Sequence, residues 1–82
     1  MTGLEQLAGW IRQHPERAGT YAFLAARMME RDGLGYQPTF RRCLRAATDA
    51  GLSERAARTR VFHGFAAAAA GHAEPPPELE DD

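Results

Sequence analysis

Apolar residues recur at three- and four-residue spacings through four stretches of this chain, and proline, glycine or a capping residue bounds each stretch. In the first, Leu4, Leu7, Ala8 and Ile11 share one helical face, with Trp10 at its flank. Thr2-Gly3-Leu4-Glu5 reads as a capping box, in which the Thr2 hydroxyl and the Glu5 carboxylate satisfy free amides at the helix start. His14-Pro15 closes this helix, because the residue before a proline disfavours helical geometry, and Pro15 opens a short turn. A second helix is expected from about Thr20 to Arg31, with Tyr21, Leu24, Ala25 and Met28 as its buried stripe and Phe23 and Met29 widening it. Asp32-Gly33 ends it, and Gly33 and Gly35 relieve the next loop of side-chain clashes.

The third helix is expected from Pro38 to Ala50, with proline in the first turn, where its missing N–H is no loss. Phe40, Leu44 and Ala47 form its inward stripe, with Cys43 beside it. Gly51 suits the position after a helix end and Ser53 the N-cap of the next helix. In that fourth helix Ala57, Val61 and Phe65 point one way and Phe62 borders them. Thr59, Arg60 and His63 are expected to project outward, with Arg55 on the flank, and Gly71 ends the helix. Most aromatic residues are assigned to the core; Tyr36 and Phe62 are the two expected to face outward. No stretch alternates as a strand would, so the pattern predicts an all-α bundle of about four short helices over residues 1–71. Residues 72–82, with Pro75-Pro76-Pro77 followed by acids, are expected to form an extended or disordered tail.

Charge changes this picture more than composition does. The formal net charge of −1 conceals a segregation: all ten basic residues are arginines between Arg12 and Arg60, while Glu74, Glu78, Glu80, Asp81 and Asp82 crowd the tail. Six of those arginines, Arg41, Arg42, Arg45, Arg55, Arg58 and Arg60, fall on the third and fourth helices. Two short helices joined by a Gly-Leu-Ser corner can form a helix-turn-helix unit, with Ala47, Gly51, Ala57 and Val61 at the positions such a crossing needs. The second helix of the pair would offer Arg55, Arg58, Thr59 and His63 to bases or phosphates. Four arginines meeting phosphates would give a log–log salt slope of about −3 to −4. The plainer reading is a solvated face, its arginines paired with Glu54 or Asp49 one turn away. The acidic tail likewise reads either as a solubilising end or as a segment folding over the arginine face in competition with nucleic acid.

Other chemistries find little support. His14, His63, His72 and Cys43 lie on different segments with no metal-ligand spacing, and no glycine-rich phosphate loop occurs. No base or orienting group accompanies Cys43, so no enzyme activity, metal or cofactor is expected. A lone cysteine and an N-terminal stretch interrupted by Glu5 fit a cytoplasmic protein, and Ala66–Ala70 is too short to cross a bilayer.

One stretch resembles a known family. Residues Ala46-Ala47-Thr48-Asp49-Ala50-Gly51-Leu52-Ser53-Glu54-Arg55-Ala56-Ala57-Arg58-Thr59, then Gly64-Phe65-Ala66-Ala67 and a proline-bearing exit, are similar to the last helices of the C-terminal helical module of phage and plasmid primase-polymerases. Arg17-Ala18-Gly19-Thr20, with Leu24 and Arg27, resembles that module's entry, although its Gly-Arg-Asn type start is not reproduced. The catalytic polymerase domain that usually precedes the module has no counterpart in this chain. The resemblance implies a helical accessory unit of a mobile genetic element that helps position template or neighbouring replication proteins.

The resulting expectation is a non-catalytic module that contacts DNA, RNA or a nucleic-acid-processing protein through Arg41, Arg42, Arg45, Arg55, Arg58, Thr59, Arg60 and His63. Two alternatives stand beside it: a small phage or plasmid protein–protein module that regulates a host complex, and a dimeric helix-turn-helix repressor. Arginines converging on one face, with Phe62 buried, would favour nucleic acid. An exposed apolar patch around Trp10, Met28, Met29 or Phe62 would favour a protein partner or a homodimer.

Overall fold

The computed structural model describes residues 3–79, and the proposed Thr2 cap lies outside them. The described residues form four helices, α1 (Gly3–Gln13), α2 (Ala18–Asp32), α3 (Tyr36–Asp49) and α4 (Glu54–Ala69), and a 3-10 turn at Pro15–Arg17. The described residues include no strand, and the all-α bundle is as expected.

The stops and starts are those the local chemistry dictates. After α3, Gly51 at φ 108° donates its N–H to Thr48 C=O, and Leu52 N–H reaches Ala47 C=O, the paired closure that left-handed glycine permits. The end of α4 repeats it, with Gly71 at φ 83° bonding Ala68 and His72 bonding Ala67. Ser53 Oγ accepts the N–H of Ala56 at 3.1 Å and starts α4. Helix α3 begins two residues before Pro38, on Gly35, whose carbonyl also accepts the buried Thr39 hydroxyl at 2.8 Å. Pro38 still falls in the first turn, among amides that have no helical acceptor.

The core differs from a large-side-chain core. Among the described residues ten of the sixteen buried apolar ones are alanines, so the helices must approach closely to exclude water. The tightest approach joins α2 to α4, the most extensive pairing in the molecule. A Cβ at Gly64 would lie 2.3 Å from Gly19 O and 2.7 Å from the Phe23 nitrogen, so only glycine lets the two backbones meet there. Ala18, Ala22, Ala25 and Ala26 of α2 and Ala57, Val61 and Ala68 of α4 are buried along with it.

This seam corrects the expected face of α2. Its buried residues are Ala18, Gly19, Ala22, Phe23, Ala25 and Ala26, whereas Leu24 is 38% exposed and Tyr21, Met28 and Met29 are only half-buried. Small residues take the central stripe because they permit the close crossing, and the larger side chains move to its margins. A similar rotation marks α3: Thr39, Cys43, Ala46 and Ala47 are buried, with Phe40 and Leu44 at the edge. The large rings gather between α3 and α4, where Phe65 meets Tyr36 at 5.5 Å and Phe40 at 5.3 Å, both edge-on.

Candidate functional site

The outer face of α4 is set by the residues that the seam leaves over. With Ala57, Val61, Gly64, Phe65 and Ala68 turned inward, helical register brings Arg55, Arg58, Thr59 and Phe62 together on the solvent side. Phe62 is 58% exposed, the most open large apolar side chain described, and Arg58 and Thr59 lie one turn before it. Arg55, Arg58 and Thr59, with Glu54, also line a shallow open groove at the start of the helix. Tyr36 is 49% exposed, so both aromatics expected to face outward do so.

The arginines on this face are not equally available. Arg58 Nη2 lies 2.8 Å from Glu54 Oε1, and Arg45 Nε lies 4.0 Å from Asp49 Oδ2, each pair one turn apart on its own helix. These are the pairings of a solvated face, and such exposed pairs contribute well under about 1 kcal/mol, little enough for a partner to break. Arg41 and Arg55 are exposed and Arg42 is half-buried, and none of the three has an ion pair among the described residues. Thr59 is exposed.

Two expected site residues sit elsewhere. Arg60, expected to project outward, is only 6% exposed. Its position explains this, since residues 57, 60, 61 and 64 recur at the spacing of a single helical stripe, and that stripe faces α2. Arg60 Nη1 donates to Glu16 C=O at 3.3 Å and lies 3.6 Å from Glu78 Oε1. His63 is half-buried, with its Nε2 3.2 Å from the carbonyl of Pro77.

The tail, expected to be extended or disordered, takes part in those contacts through residues 77 and 78. After Gly71 the chain turns back, and residues 72–79 lie beside α2 and α4 without regular secondary structure. Arg27 Nη1 holds His72 C=O at 3.2 Å. Glu78 then accepts three hydrogen bonds at the start of α2: from Gly19 N–H at 3.1 Å, Thr20 N–H at 2.6 Å and the Thr20 hydroxyl at 2.5 Å. A carboxylate at a helix start satisfies amides that have no partner within the helix and meets the positive end of its dipole. No hydrogen bond or ion pair joins the described tail to Arg55 or Arg58.

A second surface, between α1 and α2, carries the apolar side chains displaced from the core. A groove there is lined by Leu7, Leu24, Arg27, Met28, Glu30 and Arg31. Trp10, 38% exposed, packs its ring 5.7 Å from that of Tyr21, over which the Arg17 guanidinium also lies at 5.7 Å. Cys43 is fully buried, and desolvation pushes its thiol up to about 12, far from a nucleophile's range, against a smaller opposing influence of Arg42. Among the described residues no group of histidine, cysteine or acidic side chains could hold a metal ion, and no helix is long and apolar enough to cross a membrane. No protein family, no curated protein and no solved structure matches this chain.

Proposed function

We propose that the chain is a non-catalytic helical module that docks on an acidic surface of a partner protein through the outer face of α4. One observation carries this reading: Phe62, 58% exposed, stands among Arg55, Arg58 and Thr59. An apolar anchor inside a cationic frame is the composition of a protein contact, where an aromatic fills a pocket and arginines meet the acidic rim. The groove between α1 and α2, where Leu24 and Met28 stand beside Arg27 and Arg31, offers a second contact area that mixes apolar and cationic side chains. In the setting implied by the primase-module resemblance, the partner is a replication protein of a mobile element; a regulated host complex fits the same surface.

Direct contact with nucleic acid is the second reading, and Arg41 and Arg55, exposed and without an ion pair among the described residues, favour it. Phe62 would then stack on an unpaired base, which suits single strands over duplex. With Arg60 turned inward and the half-buried His63 set against the Pro77 carbonyl, the contacting set contracts to Arg41, Arg42, Arg45, Arg55, Arg58 and Thr59.

One experiment separates the two. A photo-crosslinking amino acid at position 62 is expected to trap a discrete protein adduct in cells, lost when Arg55 and Arg58 are changed to glutamate. In parallel, labelled single- and double-stranded oligonucleotides are titrated at low and physiological salt. Salt-sensitive binding lost in R55A/R58A, with no protein adduct, would replace the first reading by the second. Neither adduct nor binding would remove both.

A further inference from the structure

The tail contact has the anatomy of a peptide bound to a receptor. Among the described residues the buried apolar core runs from Leu7 to Ala68, and residues 72–79 lie outside it. Hydrogen bonds hold residues 72–79 through the Glu78 carboxylate, the Pro77 carbonyl on His63 and the His72 carbonyl on Arg27, with Pro76 and Leu79 half-buried beside them. Pro75, Pro76 and Pro77 have no N–H groups to satisfy, and their extended preference leaves little chain entropy to lose on docking.

The receiving surface is shaped for a carboxylate. A Cβ on Gly19 would lie 2.9 Å from Glu78 Oε1 and 3.3 Å from the Arg60 carbonyl oxygen, so a larger residue would keep the carboxylate away. Arg60, with its side chain 7% exposed, supplies a cation beneath the same oxygen at 3.6 Å. Helix start, hydroxyl, glycine and buried guanidinium thus converge on one acidic side chain, brought from 58 residues away from Thr20.

We propose that the start of α2 and the adjoining edge of α4 form a docking site for an acidic, proline-containing segment of another chain, which the protein's own residues 73–79 occupy in cis. The site is separate from the Arg55–Phe62 face and does not depend on that reading. A tethered occupant acts at an effective concentration on the order of millimolar, so an outside segment must outcompete it or find it released.

The test follows the amide resonances of Gly19 and Thr20 in the full chain carrying Glu78→Gln, which frees the site of its carboxylate. A capped peptide of residues 73–79, Ala-Glu-Pro-Pro-Pro-Glu-Leu, is expected to return both resonances to their wild-type positions. The same peptide with glutamine for Glu78 is expected to have no effect, and the wild-type chain to require at least tenfold more peptide. Unmoved resonances at several millimolar peptide would overturn the proposal, as would an equal response to acetate, which would mark a bare carboxylate site. If E78Q does not fold, a spin-labelled peptide on the wild-type chain provides the same decision. Broadening confined to Thr20 and His63 supports docking, and its absence overturns it.

Discussion

Arg60 Nη1 and Glu78 Oε1 stand 3.6 Å apart, joining the inner edge of α4 to a residue beyond the last helix, with side chains 7% and 24% exposed. Removing one member of such a pair leaves the other desolvated without its counter-charge. R60A is therefore expected to lower stability by about 2–4 kcal/mol in urea unfolding. R55A, on the open face, should remain within about 0.5 kcal/mol of wild type. Equal effects of the two substitutions would contradict the inward placement of Arg60.

The α2–α4 crossing leads to opposite expectations for two glycines. Alanine at Gly64 would drive a methyl group into the backbone of Gly19 and Phe23, at 2.3 and 2.7 Å. The helix-propensity gain of about 1 kcal/mol cannot offset that overlap, and G64A is expected to lose about 2 kcal/mol or more. At Gly9 the nearest atom to such a methyl is Arg12 Nη2, 4.0 Å away. G9A should stabilise α1 by about 0.5–1 kcal/mol, measured by thermal melting.

Cys43 gives the chain an alkaline limit. Its folded-state thiol is raised from 9.0 to about 12 by burial. Below the unfolded value both states hold the proton and stability is unaffected. Between the two values the unfolded chain releases a proton that the folded chain keeps, so stability falls as pH rises from about 9 towards 12. C43A should flatten that decline in unfolding curves taken at successive pH values. The wild-type thiol should resist alkylation at pH 8 until the protein is unfolded.

Leu24 checks the rotation of α2. With 38% of its surface exposed, L24Q should change stability by less than about 1 kcal/mol, whereas enlarging Ala22 to leucine in the seam should cost about 1–3 kcal/mol.

Punctuation was the most legible part of the sequence. Pro15, Gly33, Gly51, Ser53 and Gly71 act through bonds to close neighbours, and each stands at the boundary its chemistry predicts. The direction of each buried face was harder to read where large and small apolar residues share a helix. Counting large side chains turns Leu24 inward; the close crossing at Gly64 turns Ala22 and Ala26 inward instead. The signal was present, because Ala18, Ala22, Ala25 and Ala26 repeat small residues at helical spacing opposite Ala57, Gly64 and Ala68. Arg60 could have been placed by the same register, on the stripe of Ala57, Val61 and Gly64. Its partner could not, because nothing local ties Glu78 to a helix start 58 residues earlier at Thr20. Of the site, sequence reasoning found the exposed Phe62 and the Arg55–Arg58 face but missed the carboxylate clasp at Gly19 and Thr20.

The return of Glu78 to the start of α2 also determines how the molecule carries a load. A pull on the chain beyond residue 79 bears first on the clasp at the start of α2. There it meets three hydrogen bonds and an ion pair rather than the interlocked alanine seam. The clasp is thus expected to part before the seam does. Residues 72–79 would then come away while the helices keep their places.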